Sequence, residues 1–294
     1  MNPRTTNRLL LLAAAVLFST GGAAIKACSL GSWQVAAFRS AVATIAVLAL
    51  VPAARRNWNW RILPAAVAYA ATLVLFVSAT KLTTAANAIF LQTTAPLYVL
   101  ALGPALLHER IRRPDLAFAA AVGVGLGLFS IGRQNPLATA PDPARGNLLG
   151  LLSGVAWALT IVGLRWLGKR SGGGAPIATV AAGNLLACLF SLPAALPVPA
   201  ARWMDWMVIV YLGVFQIGLA YFCLTRAIAH VPAFEATTLL LVEPALNPVW
   251  AWMAQGERPA SWALAGGALI LSATLVHTWR ASRIPPSMSR APAA

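Results

Sequence analysis

One acidic side chain stands out for where it falls. Glu243 lies midway along the apolar stretch Pro232–Ala254, directly before Pro244. A carboxylate at the centre of a bilayer costs on the order of 3 kcal/mol or more, so such a group faces a cavity or a partner. Three chemistries fit it: contact with a ligand ammonium, reversible protonation, or a protonated carboxyl hydrogen-bonded to a neighbouring helix. Polar and aromatic residues recur at mid-stretch elsewhere, as Phe18 and Ser19, Tyr69 and Thr72, Trp157, and Phe215 and Gln216, with Tyr211 and Trp250 extending the set. Asn87, Phe90, Thr94 and Tyr98 follow helical spacing and share a face. Rings beside hydroxyls and amides suit a small amphipathic ligand better than a dry core. Pro96 and Pro244 each leave a carbonyl without its helical donor, which makes either a packed kink or part of a wet cavity.

To hold such groups at one depth the chain needs spanning elements. Of its 294 residues 59% are hydrophobic and 10% charged, and the mean hydropathy is +0.74. A soluble domain covers its surface with more charge than that. Apolar stretches near the ~20 residues that cross a hydrocarbon core recur along the chain. They are Leu9–Ala27, Ser32–Val51, Ile62–Thr80, Ala85–Leu107, Pro114–Ile131, Gly146–Leu167, Pro176–Pro197, Trp203–Leu224, Pro232–Ala254 and Ser261–Trp279. A closed β-barrel would alternate in segments of ~10 residues, so the expectation is an all-α integral membrane protein with ten transmembrane helices. The links are too short for a soluble domain. His108, His230 and His277 fall at stretch ends, and no His-Glu-x-x-His, Gly-x-Ser-x-Gly or Walker-type run occurs. Enzymatic and ATP-driven chemistry therefore find no motif, and neither metal nor cofactor is implied. Cys28, Cys188 and Cys223 have neither disulfide nor zinc spacing.

The formal net charge of +15 would suit nucleic acid if it were gathered on one face. It is spread over the links instead. With the N-terminus placed in the cytoplasm, fifteen Lys and Arg fall inside and six outside, with Arg39 within a span. That bias predicts cytoplasmic termini and basic links that face anionic lipid headgroups rather than nucleic acid. Trp33, Trp58, Trp60, Trp203, Trp206, Trp262 and Trp279 lie near stretch ends, where an interfacial belt belongs. Arg4 and Arg8 before an apolar run imitate a secretory signal, but Lys26 stands where a cleavage motif needs small residues, so the first helix is expected to be retained.

The chain also reads as one sequence written twice. Pro96 and Glu109-Arg110 recur 148 residues later as Pro244 and Glu257-Arg258. Leu11–Lys26 likewise resembles Leu149–Arg165 at another offset. Five stretches on each side of a proline-rich link invert the second copy relative to the first. The expected units are a first repeat over 1–132, a periplasmic link over 133–145, an inverted repeat over 146–280 and a basic cytoplasmic tail over 281–294. Inverted repeats around a central, mid-membrane cavity are the plan of many secondary transporters. A receptor or scaffold would not need polar groups at mid-bilayer in both halves. Glu109-Arg110 and Glu257-Arg258 sit at helix ends, as interfacial ion pairs or gate stabilisers. Gly146, Gly150 and Gly154, and Gly123 and Gly127, form ridges that either close the halves together or make a dimer seam, so monomer and homodimer both remain open.

These features together resemble the EamA-type branch of the drug/metabolite transporter superfamily: a proline in the fourth and ninth stretches, the following Glu-Arg, Arg39 in the second and Trp157 in the sixth. The resemblance implies an exporter in a bacterial-type inner membrane, with a cavity lined mainly by helices one, three, four, six, eight and nine. It is most similar to exporters of aromatic and other apolar amino acids. The small multidrug branch relies on a first-helix glutamate, and Leu9–Ala27 has no acid. Relatives that carry phosphorylated sugars place basic residues in the cavity helices, and Pro232–Ala254 has none. A neutral or zwitterionic solute is what remains. Arg39 is expected to serve structure.

Overall fold

An alanine- and leucine-rich run in a medium without hydrogen-bonding solvent has to satisfy its backbone internally, and the helix is how it does so. The computed structural model describes residues 3–56, 58–106, 113–131, 138–171, 175–198, 200–227 and 239–282, and no strand occurs among them. The helices are α1 (Pro3–Ser19), α2 (Gly21–Ala27), α3 (Ser32–Leu50), α4 (Leu63–Leu82), α5 (Ala85–Gln92), α6 (Ala95–Leu106) and α7 (Arg113–Ile131). They continue as α8 (Pro143–Ser171), α9 (Ala175–Ala195), α10 (Trp203–Tyr211), a π-helical segment Leu212–Leu219, α11 (Ala220–Ala227), α12 (Val242–Gln255) and α13 (Ser261–Ser282).

Six stretches among the described residues are long and apolar enough to cross a membrane: Thr5–Ala27, Ser32–Leu50, Trp60–Leu82, Pro143–Leu164, Ala175–Ala195 and Trp203–Leu224. Ser261–His277 is a shorter apolar helix. The expected fourth span is divided, because α5 stops at Gln92 and α6 starts at Ala95. The expected ninth begins in residues 228–238, outside the described residues, as do Glu109 and Arg110.

Side chains sort as a lipid-facing bundle requires. Ile45, Val67, Phe190 and Met253 point outward, and all seven tryptophans near stretch ends are exposed. Inside, α3 packs along α9, α4 along α8, α7 along α13, α1 along α11, and α5 against both α8 and α12. Cys28 and Cys223 are buried, Cys188 is half-buried, and all three are free thiols.

Three glycines of α8 let it approach its neighbours closely. A Cβ on Gly146 would stand 2.6 Å from the Thr83 backbone nitrogen, and one on Gly150 3.2 Å from the Leu91 Cβ. Gly154 meets the Leu91 carbonyl at 3.1 Å in the same test. This ridge is an internal seam that joins α8 to the α4–α5 corner, not a surface for a second copy. Gly123 and Gly127 are exposed and would meet nothing within 4 Å. Gly146→Ala should therefore destabilise the protein by about 1–3 kcal/mol, seen as an earlier thermal unfolding in detergent. Gly123→Ala should not lower the unfolding temperature and should if anything raise it slightly; equal destabilisation by the two would contradict the seam.

Candidate functional site

Proline sets the geometry of the site by removing a donor. Before Pro96 the helix stops, and Thr93 and Thr94 form the break between α5 and α6. Their hydroxyls turn back onto the chain: Thr93 donates to the Ile89 carbonyl at 2.7 Å and Thr94 to that of Leu91 at 2.6 Å. Before Pro244 the chain breaks at Leu241, so that Val242, Glu243 and Pro244 form the first turn of α12. Two half-helix N-termini, with their partial positive charge, thus border one space.

Between them lies a cavity of about 280 Å³. Its walls are Phe18 of α1, Tyr69, Thr72, Leu73 and Phe76 of α4, Ile89 and Gln92 of α5, the break at Thr93, and Ala95 and Pro96 of α6. Trp157 and Ile161 of α8, Gln216 and Ile217 of the π segment, Tyr221 and Leu224 of α11, and Leu240, Leu241, Glu243 and Pro244 complete most of the lining. Arg39 of α3 and Thr274 of α13 add two elements that the resemblance did not name. Phe18 and Tyr69 both meet Tyr221 edge to face, with ring centroids 5.2 and 5.7 Å apart. Thr72 gives its hydroxyl proton to Ala68, and Gln92 donates to the Ser153 hydroxyl at 2.7 Å. Among the described residues Glu243 has no hydrogen-bond or ion-pair partner, so none of them holds its carboxyl as a bridge between helices.

Of the residues singled out in the sequence, Phe18, Arg39, Tyr69, Thr72, Trp157, Gln216, Glu243, Pro96 and Pro244 meet at this cavity. The others lie elsewhere. Ser19 accepts the Trp250 indole N–H at 2.9 Å, and the Tyr211 hydroxyl lies 2.8 Å from that of Thr20. Phe215 stacks on Tyr211 and faces outward, because the neighbouring position Gln216 takes the inner side of the π segment. Asn87 donates to Thr83 and Asn147, Phe90 fills the space beside Gly267, Thr94 is buried on Leu91, and Tyr98 is half-buried away from the lining. On the fourth stretch the periodicity holds but the phase differs: Ile89, Gln92, Thr93 and Pro96 face the cavity, while Asn87, Phe90 and Thr94 face packed neighbours. Gln92, Thr93 and Tyr221 join the site without having been singled out; Gln92 and Thr93 share the polar type and mid-stretch depth of the rest, whereas Tyr221 stands only three residues before the end of Trp203–Leu224.

One end of the bundle is closed by charge. The Lys26 ammonium lies 3.0 Å from the Glu257 carboxylate, with both side chains almost fully buried. Glu257 also accepts the Ala85 N–H at 2.7 Å, and Lys26 donates to the carbonyls of Thr83 and Thr139. Gln255 donates to Ala23, and Asp205 accepts both the backbone N–H and the hydroxyl of Ser29, each at 2.6 Å. Glu257 thus forms its ion pair with Lys26 rather than Arg258: it turns inward after the left-handed Gly256, and Arg258 is exposed.

Comparison with known proteins gives a consistent picture. The EamA-like transporter family matches residues 7–131 and again residues 144–279. The pseudopaline exporter CntI from two strains of Pseudomonas aeruginosa is 28% identical over 279 residues, covering 91% of this chain and 94% of the relative. A solved crystal structure of a protein 20% identical shares the fold, with a TM-score of 0.62 over 92% of this chain and 98% of its own.

The buried ion pair makes a measurable demand on stability. Removing one partner of such a pair costs about 3–5 kcal/mol because the other charge is stranded. Lys26→Ala and Glu257→Ala should each lower thermal stability strongly, and the double variant should lose less than the two single losses combined. Additive losses would show that the two side chains act independently.

Proposed function

The chain belongs to the EamA-like transporter family, and from that premise we propose that it is a secondary exporter of small zwitterionic metabolites working by alternating access. The carrying observation is Glu243, a carboxylate on the wall of the cavity with no partner among the described residues. A carboxylate so placed suits a solute ammonium. The cavity, at about 280 Å³, lies just below the range for ligand pockets, roughly 300–1,000 Å³, which suits a small solute. Phe18, Phe76, Trp157 and Tyr221 add apolar wall beside it. Aromatic and other apolar amino acids are therefore the first solutes to test. A relative named as a pseudopaline exporter supports outward movement of a small metabolite.

The proposed membrane is the bacterial-type cytoplasmic one, with both termini inside, on the strength of the charge count. The proposed architecture is two inverted halves, 1–132 and 146–280, joined by 133–145 and followed by the tail 281–294. Two observations support it. The family matches each half separately. The packing also keeps its pattern when the halves are exchanged: α3 on α9 and α7 on α13 join counterparts, the fourth stretch meets the ninth as α5 on α12, and α1 on α11 mirrors α8 on α4. In this orientation Lys26 and Glu257 close the outer end.

Two experiments test these proposals. In liposomes, Glu243→Gln should lower apparent solute affinity roughly ten- to a hundredfold, the worth of a lost charge-assisted hydrogen bond. Wild-type rates and affinity, with and without a pH gradient, would remove Glu243 from the site. In a background without native cysteines, Asp142→Cys should react with an impermeant maleimide added outside whole cells and Arg113→Cys should not. Reversed labelling would overturn the orientation.

A further inference from the structure

Arg39 is a second charge on the cavity wall, and the exporter reading leaves it without a task. It sits within the spanning helix α3 at 1% exposure. Its Nη2 donates to the Leu73 carbonyl at 3.2 Å, while Nε is buried without a hydrogen-bond partner. A guanidinium offers five N–H donors, so one bond leaves most of that capacity unused. Among the described acids, Glu257 is taken by Lys26, Asp205 by Ser29 and Arg202, and Asp115 by His277. Asp142 is exposed and caps α8 through Arg145. Glu243 shares the cavity with Arg39 but forms no ion pair with it. The helix cannot simply turn the charge away. Gly213 of the π segment presses on it so closely that a Cβ there would stand 2.5 Å from Val42 and 2.9 Å from the Arg39 carbonyl.

A buried guanidinium without a counter-ion is costly, and a planar carboxylate is the anion its fork fits best. We propose that Arg39 binds the carboxylate of the transported solute. With Glu243 taking the ammonium, the cavity becomes a two-point site for α-amino-acid-like zwitterions. This rests on the exporter reading and deepens it, for it assigns the solute an obligatory carboxylate.

The test uses purified full-length protein and three phenyl probes that differ only in their charges: L-phenylalanine, phenethylamine and 3-phenylpropionate. Binding is read by calorimetry and by shift of thermal unfolding. Wild-type protein should prefer L-phenylalanine to either half-probe by roughly ten- to a hundredfold, since each lacks one charge-assisted contact. Arg39→Gln should reduce L-phenylalanine to the level of phenethylamine and leave phenethylamine binding unchanged. Glu243→Gln should do the converse with 3-phenylpropionate. If Arg39→Gln does not fold, Arg39→Lys decides: it keeps the charge but not the fork, so it should weaken L-phenylalanine selectively. Equal binding of L-phenylalanine and phenethylamine by wild type, or equal weakening of all three probes by the Arg39 variants, overturns the assignment. No response of wild type to L-phenylalanine, L-histidine or L-alanine also overturns it. The exporter reading would then stand or fall separately, on flux of carboxylate-free metabolites through liposomes.

Discussion

Hydrocarbon offers no hydrogen bonds, and the architecture follows from where the chain defies that constraint. Most of it complies as unbroken helix. Pro96 and Pro244 do not, because each withdraws a donor in mid-stretch. At the first break the hydroxyls of Thr93 and Thr94 take up carbonyls of the preceding turn. At the second, Leu241 and Val242 precede Glu243 and carry no hydroxyl, and Glu243 occupies the opening turn of α12. Breaks of this kind persist only beside protein or water, so the cavity and the two broken helices depend on each other.

The sequence made the covalent causes visible and left the spatial ones hidden. The two prolines, Glu243 and the rings at Tyr69 and Trp157 follow from residue type and depth alone, and all of those side chains reach the cavity. The face of the fourth stretch did not, since Asn87–Phe90–Thr94 and Ile89–Gln92–Thr93–Pro96 both have helical spacing. Only packing distinguishes them: Gly150 and Gly154 of α8 draw Leu91 and Thr94 toward themselves, and Gly267 receives Phe90. The π segment has no compositional mark, yet it shifts the register so that Gln216 faces in and Phe215 faces out. The Lys26–Glu257 pair joins residues more than two hundred positions apart, whereas the neighbouring Arg258 offered the obvious local partner.

Buried charge occurs in two forms here, and the contrast is chemical. Lys26 and Glu257 meet each other and also backbone carbonyls and an amide, so each charge has an opposite charge and a backbone group beside it. Asp205 is similarly saturated by Ser29 and Arg202. Arg39 and Glu243 share a cavity and remain apart, and the one hydrogen bond described for either is that of Arg39 to the Leu73 carbonyl. Saturated charges fasten helices. Unsaturated ones raise the energy of the empty site and so favour whatever complementary group enters it.

The closed end has an electrical consequence. A transmembrane voltage does work on net displaced charge, about 2.3 kcal/mol per elementary charge per 100 mV. Lys26 and Glu257 cancel, so any movement that carries the pair as a unit through the field is electrically silent. Drawing α2 away from α12 would separate the charges, but each would traverse only the small part of the potential drop local to that end. Closure is therefore governed by contact chemistry among Lys26, Glu257, Ala85 and Thr83, and a polarised membrane bears on it only weakly.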